Sequence, residues 1–211
     1  MQQEVTIVHN KIQMKGVLRL PLQPKAVVLF AHGSGSSHLS PRNNFVAEQL
    51  LQGGLASLLI DLLSKEEDAT YQNRFDIELL TERLALVIDW IKLEPQLKNL
   101  PIVLFGASTG AAAALSAAAF KHSDICAIVS RGGRPDLALA ILEGVEAPTL
   151  FIVGGGDFGV IELNQEAFEH LHCEKSFKII PGATHLFEEP GCLEQVAGLA
   201  RDWFLQHLKP H

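Results

Sequence analysis

The 211-residue chain is poor in cysteine, in charge and in the larger polar aromatics, with three cysteines, one tyrosine, two tryptophans and 19% charged residues. Cys126, Cys173 and Cys192 are too few and too scattered for a disulfide framework, which points to a reducing, cytoplasmic compartment. Positive charge is also scarce. Seventeen Lys and Arg face 24 Asp and Glu, a net charge of −7, and this balance works against nucleic acid and anionic membrane surfaces as partners. The start, Met1-Gln2-Gln3-Glu4-Val5, lacks the basic and apolar regions of a secretory signal. No Pro/Gly/Ser linker and no internal repeat divides the chain, so a single domain over 1–211 is expected, with monomer and homodimer both open.

Charge is absent altogether from residues 99–120, roughly the length of a membrane span. That stretch nevertheless contains Pro101, Gly106, Gly110 and Thr109, and it turns from β-branched to alanine-rich halfway, the pattern of a strand, a turn and a helix. What the chain does have is apolar residues, 47% of the total, enough for an ordinary packed core.

The opening segment alternates (Val5, Ile7, His9, then Met14, Val17, Leu18) around Asn10-Lys11, predicting a hairpin at a sheet edge. Short continuous apolar runs follow at 26–31, 56–60, 102–105, 127–129, 149–153 and 177–180, as expected of strands buried on both faces of a parallel sheet. Helical spacing runs from Phe75 to Leu93 and from Leu193 to Leu208. Strands alternating with helices predict an α/β fold whose chemistry gathers at the carboxyl edge of the sheet.

Gly106-Ala107-Ser108-Thr109-Gly110 sits directly after the run 102–105 and before the helix-forming Ala111 to Phe120. A serine at such a strand-to-helix turn has its hydroxyl pushed into the open, and the helix behind it favours developing negative charge. The plainer alternative is a Gly-Ser-Gly turn that only caps a helix. A nucleophilic serine needs a base and an orienting carboxylate on other loops. Among nine histidines, His185 alone follows a late strand in a glycine-bearing loop. His9, His122, His207 and His211 read as exposed polar positions. His170-Leu171-His172-Cys173, placed late in a helix with no second ligand cluster, does not make a metal site, and the reading calls for no cofactor.

Asp157, after the run 149–153, is the expected acid, in the chain order Ser, Asp, His. Asp61 competes for that role but precedes the serine and is expected to stabilise the loop around the site. Two amides should bind the oxyanion: that of Thr109, and that of Gly33 or Ser34 in Ala31-His32-Gly33-Ser34-Gly35. His32 itself reads as a structural hydrogen-bonder. Arg131 or Arg134, leaving the run 127–129, is expected to bind an acidic substrate group, the alternative being a surface ion pair.

On these motifs, and on Pro181-Gly182-Ala183-Thr184-His185-Leu186-Phe187, the chain resembles the α/β-hydrolase superfamily over nearly its whole length. Within it, the chain is similar to the small dienelactone hydrolase-like proteins. The stretches 130–136 and 185–191 resemble a subgroup also found fused to phosphoribosyltransferase domains, of which none is present in these 211 residues. True dienelactone hydrolases carry a cysteine at the elbow where this chain has Ser108. The resemblance therefore implies a serine hydrolase of a small ester, lactone or thioester, with an acyl transferase or a silent scaffold on the same fold as the alternatives. Only about 20 residues separate the runs 127–129 and 149–153, too few for a large lid.

Overall fold

The computed structural model describes residues 1–208. An eight-stranded sheet runs in the order β1-β2-β4-β3-β5-β6-β7-β8. Its strands are β1 Gln2–His9, β2 Ile12–Arg19, β3 Val27–Ala31, β4 Ala56–Ile60, β5 Ile102–Ala107, β6 Ile125–Arg131, β7 Thr149–Gly154 and β8 Lys175–Ile180. Only β2 runs antiparallel to its neighbours, β1 and β4; the remaining pairs are parallel. The predicted hairpin closes through Asn10, which takes φ 55°, a left-handed conformation that asparagine tolerates better than most residues.

Among the described residues six helices flank the sheet: α1 Pro41–Gln52, α2 Lys65–Asp68, α3 Ile77–Ile91, α4 Thr109–Phe120, α5 Phe158–His170 and α6 Cys192–His207. Side chains alternate along the central strands, as the pleat requires. Val27, Leu29 and Ala31 of β3 join a core under α3, α4 and α5. Ala26, Val28 and Phe30 join a second core under α1 and α6. The uncharged stretch 99–120 contains β5 followed by α4, and α4 is buried from Thr109 to Ala118, with Phe120 exposed at its end. Among the described residues no helix is long and apolar enough to cross a membrane.

Between β6 and β7 the chain forms only a 3₁₀ segment, Pro135–Gly144. The excursion between β4 and α3 is more elaborate than its sequence suggested. There α2, opened by a capping box of Ser64 and Glu67, is followed by a 3₁₀ turn, Tyr71–Phe75. Arg83 of α3 pins Glu67 at 2.5 Å. The helix before β8 ends at His170, so His172 and Cys173 lie beyond it rather than inside it. His207 also departs from expectation: it bonds the carbonyl of Trp203 and lies 3.1 Å from Glu174, its side chain only 8% exposed. His211 lies outside the described residues.

Candidate active site

The turn after β5 holds Ser108 at φ 50°, ψ −124°, a conformation costly for any L-residue with a side chain. The flanking glycines make it possible. A Cβ on Gly106 would run into the backbone of Ala111, and one on Gly110 into the carbonyls of Ala31 and His32. Backbone bonds hold the apex from the β6 exit: Ser108 N–H donates to Arg131 O (3.3 Å), and Arg134 N–H donates to Ser108 O (3.0 Å). Although Ser108 stands at the N-cap of α4, its side chain makes no capping bond. Its hydroxyl is therefore uncommitted at the positive end of the helix dipole.

Asp157 behaves in the same way. It occupies the N-cap of α5 without capping it, forgoing about 1 kcal/mol that such a cap usually contributes. Its Oδ2 instead accepts a hydrogen bond from Nδ1 of His185 at 2.6 Å. The two loops are drawn together by backbone bonds, Gly155 N to Ile180 O and Gly156 N to Ala183 O, both 2.9 Å. Gly154 allows this approach, since a Cβ there would strike the carbonyls of Ala183 and Thr184. With Nδ1–H directed at a carboxylate, Nε2 of His185 is left as the acceptor. His185 keeps 39% of its side chain exposed and Asp157 keeps 17%, so the pair opens onto solvent.

The loop after β3 lies against the elbow. A Cβ on Gly33 would stand 2.9 Å from Cβ of Ser108, and Ser34 N–H donates to Oγ1 of Thr109 at 2.9 Å. Thr109 is the first residue of α4, so its own N–H has no acceptor one turn back. His32 is structural: its Nδ1 bonds Gly33 O (3.0 Å) while Nε2 accepts from Leu62 N–H (3.2 Å). Burial pushes this imidazole below its ordinary pKa. Asp61 holds the same loop by accepting from His38 N (2.6 Å) and His38 Nδ1 (2.8 Å).

Neither expected substrate-binding arginine offers an uncommitted guanidinium at the surface. Arg134 is held in a two-pronged ion pair by Asp136, 2.8 and 2.7 Å. Arg131 is 6% exposed and turned toward α1, where Nη2 donates to Asn43 Oδ1 at 3.1 Å. The sequence reading missed Arg74. With His32 to Gly35, Leu63, Asp68, Leu80 and Thr109 it lines a narrow crevice beside the elbow. Nε and Nη2 of Arg74 bond Asp68, and Nη1 points toward Gly35. Its signal was faint because it sits in the short mixed-charge excursion after β4.

The model of the dienelactone hydrolase family matches residues 14–203. The chain belongs to the dienelactone hydrolase family. A dienelactone hydrolase from Anabaena variabilis ATCC 29413, solved by crystallography, is 51% identical with a TM-score of 0.96, covering 99% of each chain. Est1E from Butyrivibrio proteoclasticus is 16% identical with a TM-score of 0.83, over 97% of this chain and 98% of that one, and shows the shared fold. A protein of Mycobacterium tuberculosis H37Rv that carries a phosphoribosyl transferase name is 53% identical over 206 residues, which is 98% of this chain and 46% of that protein. The chain thus spans about half the length of the curated relatives it matches. The fold is that of an α/β hydrolase, with no lid among the described residues, and the family is that of the dienelactone hydrolases.

Proposed function

We propose that the chain is a serine hydrolase of small carboxylic esters, lactones or thioesters, acting through an acyl-enzyme on Ser108. The observation that carries this reading is the 2.6 Å bond from His185 to Asp157, made by an aspartate that forgoes its helix cap. Ser108 Oγ attacks the carbonyl carbon as its proton passes to Nε2 of His185. The amides of Thr109 and Ser34 bind the oxyanion, which replaces the Thr109 hydroxyl as acceptor for Ser34 N–H, and Gly33 lets that amide approach. The bond to the leaving oxygen then breaks, and His185 gives that oxygen the proton. Water attacks the acyl carbon, loses a proton to His185, and the bond to Ser108 breaks with return of that proton to Oγ. Among the described residues Ser108 Oγ makes no hydrogen bond without substrate; such bonds often tighten only in the Michaelis complex.

Arg74 Nη1, lining the crevice beside Thr109, offers donors to a polar substituent. The phosphoribosyl transferase name of the M. tuberculosis relatives is read as describing the rest of their length. A panel of esters, lactones and thioesters tests the proposal. On whichever substrate turns over, Ser108→Ala, His185→Ala and Asp157→Asn should each lower kcat about 10³-fold or more. Full activity in Ser108→Ala would contradict it, and ester exchange with added alcohol in place of acid release would make the protein a transferase.

A further inference from the structure

Arg131 is an anomaly of energy. It is buried at the end of β6, its Nε has no hydrogen-bond partner, and its one bond is to Asn43, itself 2% exposed. Among the described residues no carboxylate pairs with it. The like-charged Arg42, itself paired with Glu188 at 2.7 Å, adds to the cost of the charged form. Burial pulls its pKa down to about 10, so it is still a cation at neutral pH. A buried charge without a counter-ion costs stability, and an apolar side chain of similar volume would serve a core better. Stability is therefore a poor explanation for this residue.

Its surroundings supply another. The guanidinium lies over the ring of Phe187, Cζ 5.7 Å from the centroid, in range for a cation–π contact. Phe187 is fully buried at φ 57°, a left-handed conformation that a bulky residue keeps only where packing over-determines it. Its N–H bonds Thr184 O at 3.2 Å and so closes the turn that carries His185. Gly132, next to Arg131 and at φ 50°, lies directly under that turn. A Cβ there would stand 3.3 Å from His185 O and from Phe187 Cε2. Asn164 of α5 fixes the same β6 exit by donating to Gly133 O at 2.9 Å.

We infer that Arg131 is a positioning residue for the base: anchored to α1 through Asn43 and laid over Phe187, it fixes the turn 184–187 on which His185 rides. Through its carbonyl it also holds Ser108 N–H, so one residue sets nucleophile and base relative to each other. The inference rests on the reading of Ser108 and His185 as nucleophile and base.

Steady-state kinetics of Arg131→Met, Arg131→Lys and Phe187→Leu on a neutral and an anionic short ester, with thermal melts, test it. Arg131→Met should lower kcat about 10–100-fold on both esters with KM unchanged and with no loss of Tm. Lysine, which keeps the charge over the ring but not the planar fork, should restore part of kcat. Phe187→Leu should reproduce the kcat loss, and the double variant with Arg131→Met should be no worse than the singles, as for two residues acting as a unit. If Arg131→Met fails to fold, Arg131→Lys and Phe187→Leu carry the comparison. Full kcat with a lowered Tm would reduce Arg131 to packing, and a KM rise confined to the anionic ester would make it an anion subsite; either overturns the inference. A Ser108→Ala control that keeps its activity would instead remove the reading beneath it.

Discussion

His32 shows how a histidine beside Ser108 is tied into the fold. Both ring nitrogens are committed to backbone, and desolvation holds the ring neutral. The unfolded chain binds a proton at this residue below about pH 6.5 while the folded chain resists it. Stability is therefore intact above that value and falls as pH drops through it, by up to about 1.4 kcal/mol per unit. Denaturant unfolding between pH 7.5 and 5 should show the loss, and His32→Gln should flatten it; an unchanged slope in the variant would assign the acid sensitivity elsewhere. The arginines are instructive at the same scale. Asp136, the partner of Arg134, stood two positions away in the sequence. The direction of Arg131 was also encoded, since Ala127, Val129 and Arg131 share one face by the two-residue period of a strand. What the sequence could not show was that α1 and Phe187 close that face off.

At the scale of elements, the parts of the site that were legible are those where backbone geometry restricts residue choice. The elbow is the clearest. Gly110→Ala places a methyl group against the carbonyls of Ala31 and His32, and rigid backbone cannot yield as a side chain would. The expected cost is about 3 kcal/mol, a fall in Tm on the order of 10 °C for a domain of this size. A melt within about 2 °C of the unsubstituted chain would contradict the close approach. Asp157 and His185 were legible for a related reason: each follows an apolar run that ends at the carboxyl edge, although only β7 is buried throughout and the edge strand β8 buries Ile180 alone. The excursion 61–76 was not, because a four-residue helix and a single 3₁₀ turn are too short to display a period, and its order comes from polar links such as Arg83 to Glu67 and Arg74 to Asp68. The end of α5 was blurred likewise, since Leu171 is buried just past the last helical residue and extends the apolar pattern.

Over the whole molecule, one sheet and two helical layers account for the described residues, and the loops after β3, β5, β6, β7 and β8 lie along its carboxyl edge. The candidate site is open, with His185 39% exposed and only a ten-residue 3₁₀ segment where a cap would insert. The central claim is that this open site turns one serine into a nucleophile. Treating the intact chain with a fluorophosphonate and mapping the adduct by mass spectrometry tests it most directly. One phosphonyl group should appear, on the peptide containing Ser108, at a rate that falls at least about 10²-fold in His185→Ala. Labelling that persists in Ser108→Ala, or maps to another residue, would contradict the account.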